Sequence, residues 1–251
     1  MDSIRSLFIE PHVPSVMPRF SPAATATAVS PELSSAGAAL ARKARFWDRI
    51  ARKYAADPIA DLPGYEATLR RVQGLLSTSH DVLEIGCGTG STALRLASRT
   101  RRLLATDVSA EMITIAREKL AAQPVPQLEL AVADADAPVF GHGAWDAVLA
   151  FNLLHLVDDL DHAIDAVVQA LRPGGLFISK TACLNEMNPL VPRLALPLMR
   201  AIGKAPHVLC FDAVHLQAAL VRHGLAIKAV ERHGTKGKDI RVFMVARKPL
   251  A

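Results

Sequence analysis

Three glycines, Gly86, Gly88 and Gly90, alternate with other residues in the stretch Glu84-Ile85-Gly86-Cys87-Gly88-Thr89-Gly90. Glycine permits a tight turn and lets a ligand lie against bare backbone, with no Cβ in the way. Apolar residues precede the stretch and a helix-forming segment begins at Ser91. The motif therefore reads as strand, loop and helix, and free N–H groups at the helix start favour an anionic group. Asp107 ends the next apolar run. A carboxylate there can accept from both hydroxyls of a ribose. The chemistry implied is the binding of a nucleoside-bearing ligand at strand ends.

Two ligand classes fit this much, a nicotinamide dinucleotide and a sulfonium nucleoside. A dinucleotide fingerprint wants its third small residue where Ser91 stands, whereas the third glycine here is Gly90. Glu84 stands two residues before the first glycine, in a strand end where a carboxylate is costly unless it meets a donor or a cation. A methionine amine and a sulfonium supply such charge. Farther on, Pro173-Gly174-Gly175 makes a sharp turn into a strand.

The elements that position these residues follow from periodicity. Strands are expected at Asp81 to Ile85, Arg102 to Thr106, Leu128 to Ala133, Asp146 to Phe151 and Leu176 to Thr181. Helices separate them at Ser91 to Ser98, Ala110 to Ala121 and Leu160 to Leu171. Such alternation gives right-handed βαβ units and a doubly wound parallel sheet. After a helix from Asp212 to His223, strands Leu225 to Val230 and Ile240 to Ala246 are joined by a link too short for a helix. They form an antiparallel hairpin. The expected fold is α/β and Rossmann-like, with seven strands and this terminal hairpin.

Proline-rich residues 1–35 read as a flexible arm, and residues 36–78 as a helical cap with helices from Ala36 and from Tyr65 to Leu76. Residues 79–251 form the ligand-binding domain, interrupted at 184–211 by an apolar, proline-broken insertion. Placed at the strand ends, that insertion is a lid over a lipophilic molecule, a closure of the core or the contact surface of a homodimer.

The segments Val82 to Gly90, Asp107, Asp134, Asp146-Ala147-Val148 and Leu171-Arg172-Pro173-Gly174-Gly175, taken in order, resemble the class I methyltransferases. Within them the chain is similar to the small-molecule branch that includes the ubiquinone/menaquinone-biosynthesis enzymes. The resemblance implies S-adenosyl-L-methionine as cofactor. Gly86, Gly88 and Gly90 would cradle its methionine part, with Cys87 inside the loop and Glu84 supporting it. Asp107, followed by Val108, would hold the ribose. Asp134 with the Ala135 backbone would hold the adenine, Asp136 being the alternative carboxylate. Phe151 and Asn152 would border the methionine amine.

His155 is the candidate catalytic base, because histidine titrates near neutral pH; bracing of its loop is the other reading. Tyr54, with Trp47, stands either over the cofactor and near the acceptor or in the core. Cys183 reads as a buried thiol, and neither His207 nor His215 is assigned to a metal. The chain reads Phe151-Asn152-Leu153-Leu154 where enzymes methylating base or glutamine amines carry Asn/Asp-Pro-Pro-Tyr. Nucleic acid is therefore not an expected partner.

The net charge of +5 gathers partly between Arg42 and Lys53, interleaved with apolar residues as on a solvated helix face. Three separated cysteines carry no metal spacing and suit a reduced, cytoplasmic setting. No apolar run approaches the ~18–20 residues of a membrane span. The expected activity is methyl transfer to oxygen, nitrogen or carbon of a small, lipophilic molecule. An NAD(P)-dependent oxidoreductase and a non-catalytic cofactor-binding protein are the alternatives.

Overall fold

The computed structural model describes residues 31–135, 140–186, 206–235 and 241–250, and of 31–36 the backbone only. Helices α1 (Pro31–Ala56) and α2 (Leu62–Gln73) lead into β1 (Asp81–Ile85). Then follow α3 (Ser91–Leu96), β2 (Arg102–Asp107), α4 (Ala110–Ala122), β3 (Leu128–Val132) and β4 (Trp145–Phe151). The chain continues through α5 (Leu160–Ala170), β5 (Leu171–Ala182), α6 (Ala213–Arg222), β6 (Ala226–Glu231) and β7 (Arg241–Arg247).

The strands form one sheet in the order β3-β2-β1-β4-β5-β7-β6. β1 pairs in parallel with β2 and β4, and all five of its residues are buried. Alternation along the strands divides the core between the two faces. Leu83, Ile85, Val148 and Phe177 face α5 and α6, whereas Val82, Ala105, Leu149 and Ile178 face α2 and α3. Carboxylate and hydroxyl caps start the helices where needed. Ser109 accepts from Met112 N to open α4, Asp159 does so for α5 and Asp212 for α6. Each such cap contributes about 1 kcal/mol.

β7 runs antiparallel to both neighbours, β5 and β6. The expected hairpin thus exists, but with a consequence the sequence did not expose: its second strand inserts between β5 and β6. The reason is visible in the burial. β7 carries Val242 to Ala246 buried on both faces, while β6 alternates exposed and half-buried residues and suits an edge.

Several boundaries differ from expectation. α1 begins at Pro31 rather than Ala36, proline being suited to a first helical turn. α2 starts at Leu62, because the Asp61 side chain accepts from Gly64 N, and stops at Gly74. β5 begins at Leu171, before the Pro-Gly-Gly turn. Trp145 pairs with Leu171 and Ala147 with Leu176, so residues 172–175 are an excursion within the strand. Gly174 takes φ +79° there and donates to Lys248 O at 2.9 Å. The arm up to residue 30, Asp136, the middle of the insertion (187–205) and the hairpin turn (236–240) lie outside the described residues. Among the described residues no helix is long and apolar enough to cross a membrane.

Candidate functional site

In open α/β sheets a ligand crevice forms where the strand order reverses. Here that point lies between β1 and β4, whose neighbours on either side are β2 and β5. A cavity of about 570 Å³ opens at their carboxyl ends. It is within the ~300–1,000 Å³ typical of small-molecule sites. Of the residues expected to bind, Tyr54, Glu84, Gly86, Cys87, Gly88, Asp107, Val108, Asp134, Ala135, Phe151 and His155 all line it. Gly90 does not.

The glycines do separate jobs. Gly90 has φ +71°, and a Cβ there would meet the Cβ of Ala116 on α4 at 2.8 Å. It lets α3 start close against α4. A Cβ on Gly86 would strike Leu153 Cδ1 at 2.6 Å. Gly88, at φ +54°, faces open space, its nearest neighbour being Tyr54 Cε1 at 3.9 Å. The bare backbone offered to a ligand is therefore that of Gly88.

Asp107 fixes the loop. Its Oδ2 accepts from Gly88 N at 2.9 Å and its Oδ1 from Ser109 N at 2.9 Å. Each oxygen keeps a further lone pair for a ligand hydroxyl. Burial raises the Asp107 carboxyl above the ordinary range, against the lowering pull of those two N–H groups.

Glu84 is the exceptional group. Only 1% of it is exposed, and its Oε2 has no hydrogen-bond partner. Burial, with the neighbouring Asp107 charge, raises it to about 8. Two other buried side-chain atoms among the described residues lack partners, His80 Nδ1 and Ser179 Oγ, and neither residue lines the cavity. An unpaired carboxylate in a cavity wall is a binding element for a cation. The same burial lifts the Cys87 thiol well above its ordinary value, so Cys87 is no thiolate nucleophile.

α1 closes one side. Lys43 and Trp47 line the cavity, together with Tyr54 two turns on. Lys43 Nζ reaches Asp134 Oδ1 at 3.1 Å and Asp158 Oδ2 at 3.2 Å. Those carboxylates outweigh the lowering effect of burial and hold the lysine above its ordinary value. Asp134 Oδ1 also accepts from Ala135 N at 2.9 Å, so one oxygen of Asp134 is engaged twice. α1 is anchored through Asp48, whose Oδ1 accepts from Ser109 Oγ at 2.6 Å and Glu111 N at 3.1 Å. Ala51 packs with Met112 and Ile115. Lys43 was not singled out in the sequence, where it sits inside a run of outward-facing cations. Its four-residue spacing from Trp47 was the available signal.

At the end of β4, Asn152 adopts φ 53°, unusual for a residue with a side chain. Its N–H donates to Lys180 O at 2.6 Å. Three residues later His155 meets Thr181, fully buried on β5: the His155 N–H donates to Thr181 Oγ1 at 3.3 Å, and Nδ1 lies 3.0 Å from the same oxygen. Burial lowers the imidazole to about 4. A second cavity of about 660 Å³ shares Tyr54, Cys87, Thr92, Phe151, Asn152 and Arg241 with the first. Ile59, Tyr65 and Leu69 add apolar wall to it.

Asp146 and Arg172, part of the sequence resemblance, lie at the opposite end of the sheet. Arg172 Nη1 donates to Asp146 at 2.8 Å, and Asp146 Oδ2 accepts from Asp81 N at 2.8 Å. They tie β1, β4 and β5 together, away from the cavity.

Comparison with known proteins gives this arrangement a lineage. Residues 82–175 match the sequence pattern of a family described as a methyltransferase domain. Methyltransferase nsrG of Aspergillus novofumigatus is 36% identical over 104 residues, covering 41% of this chain and 38% of the relative. Methyltransferase GfsG of Streptomyces halstedii is 28% identical over 140 residues, covering 53% and 50%. The chain thus spans half or less of the length of these relatives. The crystal structure of an S-adenosylmethionine dependent methyltransferase from Mesorhizobium loti superposes with a TM-score of 0.61 over 73% of this chain and 97% of the other, at 22% identity. That likeness establishes the fold. Residues 82–175, which hold the central strands and the glycine loop, thus carry a methyltransferase domain, on a fold shared with S-adenosylmethionine dependent methyltransferases.

Proposed function

We propose that the chain binds S-adenosyl-L-methionine in the 570 Å³ cavity and transfers its methyl group to a small acceptor seated in the adjoining one. The observation that carries this reading is the partnerless Glu84 Oε2 beside the open backbone of Gly88. A cation brought by the ligand favours the ionised form of Glu84, whereas the pyrophosphate that a dinucleotide offers to such a loop opposes it. When bound, the cofactor supplies a methyl group on a cationic sulfur, ready for in-line displacement.

The chain's own residues then have to hold and align. Glu84 meets the positive end of the cofactor, and the Gly86–Gly88 backbone lies along its methionine part. Asp107 accepts from the ribose hydroxyls while keeping the loop in register. Asp134, with one oxygen engaged by Lys43 and Ala135 N, keeps the other for the adenine amine. Phe151 and Tyr54 form the wall common to the two cavities, where water exclusion and alignment matter most. The apolar residues of the second cavity support an acceptor with a lipophilic body.

The test is transfer of a tritiated methyl group from S-adenosylmethionine to a panel of small phenols, amines and carboxylic acids. Label in an extractable product is expected. Cofactor binding without transfer to any acceptor would point to a non-catalytic protein, and tight binding of NAD(H) alone would overturn the reading.

A further inference from the structure

The Thr181 hydroxyl makes two contacts with one residue, and their chemistry is restrictive. Thr181 Oγ1 accepts the His155 backbone N–H. A hydroxyl has one proton to give and two lone pairs. Thr181 is fully buried, and among the described residues the acceptor that its proton meets is His155 Nδ1, at 3.0 Å. If Nδ1 carried a proton instead, two donors would converge on Oγ1 and the hydroxyl proton would be left without an acceptor. A buried unmet donor is what folded proteins avoid.

We infer that Thr181 is a positioning residue that fixes His155 with Nδ1 unprotonated and Nε2 protonated, so that His155 meets a bound ligand as a neutral hydrogen-bond donor and not as a base. The ring's free edge belongs to the cofactor cavity, which His155 lines while Thr181 does not. Its low basicity has the same sense: burial lowers the ring to about 4, and the ring is uncharged at neutral pH. The charged and titratable groups sharing the cavity are Lys43, Tyr54, Glu84, Cys87, Asp107, Asp134 and Arg241. Among the described residues the side-chain hydrogen bond of the imidazole is the one to Thr181.

The ligand chemistry that Nε2–H recognises is an acceptor oxygen, carboxylate or carbonyl. On the proposed methyl-transfer reading, on which this step rests, the substrate must then bring its own free lone pair. That describes a phenolate, a carboxylate or an unprotonated amine, and excludes an acceptor whose proton His155 would have to take.

The direct test is two-bond ¹H–¹⁵N correlation spectroscopy of the full ¹⁵N-labelled chain without cofactor. His155→Gln identifies the His155 signals among the nine histidines. The expected result is a protonated Nε2 and an unprotonated Nδ1, unchanged between about pH 5 and 8, retained in Thr181→Ser. In Thr181→Val the ring should lose this single tautomer, the proton being shared between Nδ1 and Nε2. A protonated Nδ1 in the unaltered chain, or a Thr181→Val spectrum identical to it, would overturn the inference. Activity gives a second readout. Glutamine can donate a hydrogen bond but cannot take a proton, so His155→Gln should stay within about tenfold of the unaltered rate while His155→Ala falls further. Equal loss in both variants restores the base. Absence of any methyl transfer would defeat the proposed function and leave the spectroscopic result standing.

Discussion

Replacing Glu84 with glutamine should strengthen the fold and weaken the site, and the two effects can be separated by pH. The Glu84 carboxyl titrates at about 8 in the folded chain against 4.5 ordinarily. Between those values the unfolded chain ionises while the folded one keeps its proton, so stability falls by ~1.4 kcal/mol per pH unit. Carried from pH 4.5 to 7, the loss is about 3 kcal/mol, a large part of the ~5–15 kcal/mol that holds a domain together. Glutamine removes this fall. Its buried amide brings a cost of ~1–3 kcal/mol of its own, but that cost is the same at every pH. Urea unfolding of the cofactor-free proteins should therefore show the difference, Glu84→Gln minus unaltered, rising in favour of the variant by roughly 3 kcal/mol from about pH 4.5 to pH 7. Titration calorimetry at pH 8 should show cofactor affinity reduced by about 10- to 100-fold, the loss of one charge-assisted contact. A stability difference that does not vary with pH would refute the buried-acid argument. Undiminished affinity would refute the role of Glu84 in binding.

Three further outcomes follow from the same geometry. Gly88→Ala places a methyl in the cavity and should abolish cofactor binding with a modest fall in melting temperature, whereas Gly90→Ala meets Ala116 and should lower the melting temperature markedly; equal effects of the two on stability would contradict this division of labour. Lys43→Met removes the link from α1 to Asp134 and Asp158 and should speed dissociation of S-adenosylhomocysteine in stopped-flow measurements; an unchanged off-rate would release α1 from any role in retention. His223, with Nδ1 at 2.6 Å from Asp165 and Nε2 at 2.8 Å from Asp161, is raised above its usual value and joins α6 to α5. Its contribution is complete below about 6.5 and lost as pH rises through the raised value, so His223→Gln should lower the melting temperature near pH 6 and leave it unchanged near pH 9.

What the sequence made legible was whatever repeats with a short period or stands at fixed spacing. Alternating apolar strands and amphipathic helices gave the layered sheet, and the glycine loop with Asp107 gave the crevice, because both are local in the chain. Partnerships across the fold were not legible. Lys43 is indistinguishable in sequence from its cationic neighbours, and only the packing of α1 on α4 turns it toward Asp134. Thr181 is one residue of an apolar strand, and its contact with His155 depends on β4 and β5 lying side by side. Gly90 looked equal to Gly88 until the proximity of α4 showed what each tolerates. The place of β7 between β5 and β6 is likewise a property of the sheet as a whole, set by which strand can afford two buried faces.

The claim on which the rest depends is that the cavity beside Glu84 and Gly88 takes a sulfonium nucleoside. Calorimetric titration of the cofactor-free chain with S-adenosylmethionine, S-adenosylhomocysteine and NADH measures it directly. The prediction is one site per chain for the first two, with S-adenosylmethionine affinity rising toward pH 8 as Glu84 ionises, and no heat from NADH. Saturable binding of NADH with none of S-adenosylmethionine would contradict it.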